Sequence, residues 1–181
     1  LYLLALFSLL IFLIFMSVYG LSLIFSSIMG APYVPTKKKL ALEILKEVKF
    51  EKNGLFVELG SGDGRIIRTA IKNYPIRGIA VDVNGLLIVW SKILKFLDPR
   101  LRGDDKLSFV KANILNFDLK NADYIYLFLF PDLIAKLVPK FDKELKKGTI
   151  IISHGFPVSE YKGKLIKKVE RSPFPTYYYK I

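Results

Sequence analysis

A glycine-rich segment, followed at a set distance by an aspartate, is the part of this sequence best suited to chemistry. The segment runs from Glu58 to Arg65 and has glycines at positions 60, 62 and 64. Glycines permit tight turns and close approach of a ligand, and a following helix offers N–H groups to a polar or anionic group. The spacing is not the GxGxxG dinucleotide fingerprint, and no Gly-Lys-Ser follows. We therefore expect a ligand other than a pyrophosphate, the alternative being a turn without a ligand.

Asp82 strengthens the prediction of a ligand site. It lies at the end of the apolar run 77–83, 18 residues after Gly64. An acidic side chain about 20 residues beyond such a loop is placed to bind the two hydroxyls of a ribose. The alternative is a solvated aspartate at a strand end. The combination of strand, glycine loop, helix, strand and acid is more specific than either feature alone.

Alternating strands and helices must position these residues. The apolar runs predict strands at 55–57, 77–83, 107–111, 124–130 and 149–153, with two more at 165–170 and 177–181. Apolar residues at helical spacing predict helices at 40–48 (capped by Thr36), 66–71, 86–97 and 132–146, the last broken or kinked at Pro139. This alternation predicts an α/β fold with a doubly wound, mostly parallel, seven-stranded Rossmann-like sheet, whose strand ends meet at one ligand-binding edge.

The first 29 residues are strongly apolar and contain no Asp, Glu, Lys or Arg. A membrane span needs about 20 apolar residues, so we expect residues 1–29 to be one transmembrane helix. A signal peptide and a buried core helix are the alternatives. Residues 30–36 form a short connector with two prolines, and residues 37–181 form the soluble domain. Lys37, Lys38 and Lys39 favour a cytoplasmic position for that domain.

Composition excludes several kinds of site. The chain has no cysteine and one histidine, so disulfide scaffolds, cysteine nucleophiles and multi-histidine metal centres are excluded, and we expect no metal. The net charge of +12 fits nucleic-acid binding, attraction to anionic lipid or ordinary solubility. Because the lysines are scattered and the N-terminal segment favours a membrane, we expect a lipid bilayer rather than nucleic acid as the partner.

The segment Val57 to Gly64, with Asp82 at the next strand end, resembles the seven-stranded S-adenosylmethionine-dependent methyltransferases. The resemblance implies S-adenosylmethionine as the cofactor, with the glycine loop behind its methionine part and the acid on its ribose. It also implies a polar residue near the adenine, which falls on Asn113 where the family often has aspartate. The implied cofactor-binding residues are Glu58, Gly60, Ser61, Gly62, Asp63, Gly64, Asp82, Val83, Asn113 and Ile114.

A closer resemblance rests on Pro-Tyr-Val-Pro-Thr at 32–36, between the apolar segment and the glycine motif. This arrangement is similar to the membrane-anchored protein lysine methyltransferases of mitochondria and their prokaryotic relatives, which modify the c-ring protein of ATP synthase or the adenine nucleotide translocase. It implies methyl transfer to a lysine of a protein in or near the membrane, with the domain on the matrix side if mitochondrial. The domain leaves no segment for a lid, which also favours a large substrate.

Candidates for the substrate side follow from their places in the connector and after the fourth and fifth strands. No catalytic base is compulsory for this transfer, because positioning and desolvation can suffice. The candidates for a catalytic role are Thr36, Asp132 and His154, with His154 able to accept a proton or to be merely structural. The candidates for the substrate edge are Tyr33, Phe130, Pro131, Phe156 and Pro157.

Three other functions remain open on the sequence. The enzyme could methylate a lipid or quinone-like small molecule at the membrane, or it could methylate RNA. A protein that binds the cofactor without catalysis, such as an assembly factor, is the third. An open rim beside the anchor would favour a protein substrate, and a closed apolar pocket would favour a small one.

Overall fold

The computed structural model describes residues 1–28, 34–103 and 105–181. Its helices are α1 (Tyr2–Ile28), α2 (Lys38–Leu45), α3 (Arg65–Asn73), α4 (Gly85–Leu97) and α5 (Pro131–Glu144), with a 3₁₀ helix at Ser159–Lys164. Its strands are β1 (Leu55–Leu59), β2 (Arg77–Asp82), β3 (Leu107–Lys111), β4 (Tyr124–Leu127), β5 (Ile150–His154), β6 (Leu165–Val169) and β7 (Thr176–Lys180).

The seven strands form one sheet in the order β3-β2-β1-β4-β5-β7-β6. The first five strands pair in parallel, whereas β7 lies antiparallel to both of its neighbours. The chain order reverses direction between β1 and β4, and the carboxyl ends of parallel strands on either side of such a point form a crevice. The prediction of a mostly parallel, seven-stranded Rossmann-like sheet is confirmed.

Helices cover both faces of the sheet. Alternate residues of one strand face opposite sides, so Phe56 packs with the buried residues of α2 and α3, whereas its neighbour Val57 packs with those of α5. The parallel strands read as nearly continuous apolar runs because both faces are buried. This two-sided core fixes the directions of the strands whose ends build the site.

Two local predictions differ from the structure. Thr36 does not cap α2: the helix begins at Lys38, Lys37 is its N-cap, and no side chain caps it. The carbonyl of Thr36 instead accepts a hydrogen bond from Arg65, so a tertiary contact outweighs the local cap. Helix α5 also continues through Pro139 without a break. The carbonyl of Ala135 that Pro139 cannot bond faces solvent, because both residues are exposed.

Helix α1 has the length and composition of a membrane span. Its stretch Tyr2–Ile24 has 23 residues and a mean hydropathy of 2.5, and none of its most apolar window is buried against the rest of the protein. Among the described residues, this is the one helix that passes such a test. The observation fits a membrane anchor, and the predicted boundaries at 29 and 36 remain predictions.

Candidate active site

An open cleft of about 270 Å³ lies at the carboxyl ends of β1, β2 and β4. It therefore occupies the crevice where the strand order reverses, the position at which open α/β sheets bind ligands. Ten of the predicted site residues line it: Thr36, Glu58, Gly60, Ser61, Gly62, Asp63, Asp82, Val83, Asn113 and Ile114. The fold thus brings most of the predicted cofactor-side residues to one place, and their individual roles remain proposals.

The glycine loop turns from β1 into α3 with three residues in the left-handed region. Gly60, Gly62 and Gly64 have φ of 70°, 54° and 67°. Such angles are costly for residues that carry a Cβ. A Cβ at Gly60 would lie 2.8 Å from Leu129, and one at Gly64 would lie 2.5 Å from the Phe109 ring. The loop is therefore held in shape by both its dihedral angles and its neighbours.

Glu58 fastens the start of α3 to the sheet. Its side chain is 3% exposed, and Oε2 accepts a hydrogen bond of 2.9 Å from the backbone N–H of Ile67. Gly64, the N-cap of α3, has no side chain to satisfy the first N–H groups of the helix, so the carboxylate from β1 does so. Burial raises the pKa of Glu58 well above its ordinary value, because the charged form is poorly solvated there.

Asp63 is used by two arginines. Its buried carboxylate lies 2.9 Å from Nη2 of Arg65 and 3.6 Å from Nη2 of Arg68. Nη1 of Arg65 also donates to the carbonyl of Thr36 at 3.2 Å. Asp63 therefore locks the glycine loop to α3 and, through Arg65, to the end of the connector.

Asp82 organises the other wall of the cleft. Oδ2 accepts from the N–H of Gly62 at 2.7 Å, and Oδ1 accepts from the N–H of Asn84 at 2.8 Å. A carboxylate has about four lone-pair sites, so two remain for a ligand. Burial raises the pKa of Asp82, and the backbone hydrogen bonds oppose that shift. The side chain thus braces the glycine loop and can still accept from hydroxyls in the cleft.

Asn84 ties the cleft to helix α1. Its Oδ1 caps α4 by accepting from Leu86 and Leu87, and it also accepts from the hydroxyl of Ser22 at 2.8 Å. Its Nδ2 donates to the carbonyl of Ser22 at 3.0 Å. The last turns of the apolar helix are therefore bonded to a residue two positions beyond Asp82.

Two buried polar atoms in the cleft have no hydrogen-bond partner among the described residues. They are Oγ of Ser61 and the hydroxyl of Tyr126, which projects from β4 beside Thr36. Buried polar groups are normally paired, and an unpaired one in a cleft indicates a place for a ligand atom. Burial raises the pKa of Tyr126, so its hydroxyl stays protonated.

The cleft lining fits S-adenosylmethionine by its chemistry. Asp82 offers acceptors for ribose hydroxyls, and Ser61 offers an unpaired polar atom beside the glycine loop. Apolar side chains from Ile114, Leu115 and Leu87 lie beside Asn113 and can cover an adenine ring. Oδ1 of Asn113 accepts from the N–H of Leu115 at 2.9 Å, so the side chain chiefly shapes the loop after β3.

The remaining candidates lie outside the residues that line the cleft. Phe130 is 43% exposed and makes an edge-to-face contact with the half-buried Phe156. Pro131 and Asp132 are exposed in the first turn of α5, and Pro157 is exposed. Gly64 forms the N-cap of α3, and Tyr33 lies outside the described residues. Their contacts with a substrate remain predictions.

His154 is buried at the end of β5. It is 1% exposed, its Nδ1 lies 2.9 Å from Oγ1 of Thr176, and its ring packs edge-to-face against Phe128 and Phe174. Burial, together with the nearby Arg171, lowers the pKa of His154 to about 4. The described cleft lining does not include it. These surroundings favour the structural of its two predicted roles.

Stability should therefore depend on pH through His154. The pKa falls from 6.5 to about 4 on folding, so the unfolded chain binds a proton in this window that the folded chain rejects. Stability is lost as the pH falls, by roughly 2–3 kcal/mol between pH 7.5 and pH 4.5. Urea unfolding of the full chain in detergent micelles should show this loss in the wild type and lack it in His154→Gln.

Comparing the two proteins isolates the histidine, because Glu58 and Asp82 have raised pKa values and act in the opposite sense in both. Equal pH dependence of the wild type and the variant would show that His154 is not a buried neutral group.

Sequence reasoning missed several residues of the cleft. They are Val34, Pro35, Arg65, Ile66, Leu87, Leu115, Tyr126, Phe128, Leu129, Leu133 and Lys136. Tyr126 and Phe128 lie two apart on and just after β4, so the period of two in a strand could have placed both on one face. Leu133 and Lys136 enter from the first turns of α5, and only the packing of that helix brings them to the cleft.

Comparison with known proteins agrees with this geometry. Residues 58–164 match the family described as the ANTKMT methyltransferase domain. A protein-lysine N-methyltransferase of Saccharolobus islandicus is 34% identical over 141 residues, covering 77% of this chain and 85% of that protein. The chain belongs to the ANTKMT methyltransferase domain family. The predicted resemblance to membrane-anchored lysine methyltransferases is thereby confirmed at the level of the family.

Other similar proteins extend the ANTKMT assignment. A lysine N-methyltransferase of Caenorhabditis elegans, named for the c-ring protein of ATP synthase, is 29% identical over 135 residues, covering 71% of this chain and 68% of that protein. An RNA methyltransferase of Salinibacter ruber, solved with S-adenosyl-L-homocysteine, has a TM-score of 0.73 at 25% identity and covers 82% of this chain and 94% of its own. The prediction of an S-adenosylmethionine-dependent methyltransferase is confirmed.

Proposed function

We propose that this protein transfers a methyl group from S-adenosylmethionine to a lysine side chain of a protein in or beside a membrane. The hydrogen bonds between Ser22 and Asn84 carry the proposal. They hold the last turns of an apolar, membrane-length helix next to Asp82, so the cleft lies close to the level at which that helix leaves the bilayer. A substrate lysine within a few ångströms of the membrane surface is then within reach.

The relatives support lysine as the acceptor. The similar protein of Saccharolobus islandicus is named a protein-lysine N-methyltransferase. Relatives in Caenorhabditis elegans and in mouse are named for lysines of the ATP synthase c-ring protein and of the adenine nucleotide translocase. The open cleft also suits a substrate that brings its own surface. For localisation, Lys37, Lys38 and Lys39 beside the anchor favour the cytoplasmic or matrix side.

The cleft can prepare an amine by desolvation. When bound, S-adenosylmethionine supplies a methyl group activated by its positively charged sulfur. Val34, Phe128 and Leu129 give the cleft an apolar wall, and an apolar setting lowers the pKa of a lysine and favours its neutral form. The unpaired hydroxyl of Tyr126 is available to accept a hydrogen bond from that amine and orient its lone pair. This arrangement needs no dedicated base.

A transfer assay tests the proposal. Membranes are incubated with full-length protein and isotope-labelled S-adenosylmethionine, and label is then counted in separated protein, lipid and RNA fractions. We expect label in protein. The RNA fraction matters because a structurally similar protein is an RNA methyltransferase. Label confined to lipid or RNA would overturn the protein assignment, and no label in any fraction would favour a non-catalytic role.

A further inference from the structure

Helix α4 carries a broad apolar face that nothing in the described chain covers. Its exposed apolar residues are Leu86 (44%), Val89 (55%), Trp90 (49%), Ile93 (43%), Phe96 (63%) and Leu97 (60%). With 3.6 residues per turn, they fall within an arc of about 120°. Leu87, Ile88 and Ser91 are buried on the opposite side against the domain. The helix is thus apolar on two faces, which is not the pattern of a solvated surface helix.

The position of α4 relative to the anchor decides what covers this face. Its N-cap, Asn84, is bonded to Ser22, which lies within the 23-residue stretch Tyr2–Ile24 that is long enough to span a membrane. If that stretch spans the bilayer, the first turn of α4 lies at the depth of the last turns of the span. The exposed face is therefore continuous with the proposed anchor.

Basic groups flank this face. Lys92 is exposed on the helix, and Arg100 and Arg102 follow its end. The guanidinium of Arg102 lies 4.9 Å from the centre of the Phe96 ring, and its Nε donates to the carbonyl of Phe96. The nearby acid Asp98 is already paired with Lys72 and Arg100. An apolar face with an aromatic residue and a basic border is typical of helices that lie in an anionic membrane interface.

We propose that the α4 face, formed by Leu86, Val89, Trp90, Ile93, Phe96 and Leu97, inserts into the interface of an anionic bilayer as a second contact beside the anchor. The proposal rests on the anchoring described under the proposed function. It adds that the domain does not swing freely on its connector. With two contacts, the cleft between Asp82 and Tyr126 keeps a set height and tilt above the membrane, which selects lysines at that height.

The protein contains its own probe for this contact, because Trp90 is its single tryptophan. Full-length protein is reconstituted into phosphatidylcholine–phosphatidylglycerol vesicles whose acyl chains carry bromine near the headgroup or near the bilayer centre. We expect Trp90 fluorescence to be quenched most by the shallow bromine and to be shielded from aqueous acrylamide. In Ile93→Glu/Phe96→Glu, shallow quenching should fall at least about twofold, because charges are expelled from the interface.

Leu165→Glu/Ile166→Glu is the matched control, since both residues are exposed apolar positions on β6, at the opposite edge of the sheet from β3. It should keep wild-type quenching. Calorimetric binding of S-adenosylhomocysteine to each variant verifies folding. If both variants bind and quench alike, the proposal is overturned.

Alkaline carbonate extraction of the same vesicles separates the two levels of the account. Protein that stays in the vesicles with Trp90 open to acrylamide overturns the α4 contact alone. Protein that is extracted overturns the anchor and the α4 contact together. Trp90 that is shielded from acrylamide but insensitive to bromine, in a manner that depends on protein concentration, would show a second copy of the chain on this face and would also overturn the proposal.

Discussion

Replacement of Asp82 by asparagine should weaken binding of S-adenosylhomocysteine by about 100- to 1,000-fold, since a hydrogen bond to a charged group contributes about 1.5–3 kcal/mol and two ligand contacts are affected. The amide keeps the shape of the carboxylate, but its NH₂ group cannot accept from Gly62 or Asn84. One backbone N–H is left unpaired, and the ribose loses an acceptor. Titration calorimetry measures the affinity, and methyl transfer should fall in parallel.

Asp118→Asn is the matched control for this change. Asp118 is an exposed aspartate that accepts a hydrogen bond from the N–H of Lys120, and it lies outside the cleft lining. The same chemical change there should leave affinity within about twofold, as is usual for exposed positions. An Asp82→Asn protein that binds S-adenosylhomocysteine as tightly as wild type would remove Asp82 from the cofactor site.

Gly64→Ala is expected to cost about 3–4 kcal/mol of stability, because a left-handed residue with a Cβ costs roughly 1–2 kcal/mol and forced overpacking adds about 1–3 kcal/mol. The φ of Gly64 is 67°, and the new Cβ would lie 2.5 Å from the Phe109 ring. Phe109 is a buried residue of β3 and cannot move without disturbing the core. Urea unfolding of the full chain in detergent micelles measures the loss.

Gly103→Ala separates the two contributions. Gly103 has nearly the same backbone angle, φ 73°, but a Cβ there would meet nothing within 4 Å. It should therefore lose only the left-handed cost of about 1–2 kcal/mol. Equal losses for the two variants would mean that the Phe109 contact does not constrain the glycine loop.

The fold was predictable because its signals are local. Apolar runs such as 107–111 gave a strand with the observed ends, and the glycine loop predicted the turn from β1 into α3. The ends of β4 and α5 were less accurate. The run 124–130 continues past the last paired residue, Leu127, because the cleft wall beyond it is also apolar. Hydrophobicity reports burial and does not distinguish a strand from the loop that follows it.

The site was only partly predictable because some of its parts depend on contacts distant in sequence. Gly60, Gly62 and Asp82 could be placed by motif and spacing. The role of Tyr126 depends on which β4 hydroxyl lacks a partner, and that information exists only in three dimensions. The same holds for the bonds from Ser22 to Asn84, which join residues 62 positions apart. For Thr36, the contact with Arg65 outweighed the helix cap that the local sequence predicted.

Recovery of methyllysine tests the central claim most directly. Wild-type protein and Asp82→Asn, each full length in native membranes, are supplied with methyl-labelled S-adenosylmethionine, and the labelled membrane proteins are hydrolysed to amino acids for chromatography. We expect the wild type to place its label in Nε-methylated lysine of integral membrane proteins and Asp82→Asn to place almost none. Label recovered in other amino acids, or in lysine of soluble proteins only, would contradict a lysine methyltransferase that works at the membrane surface.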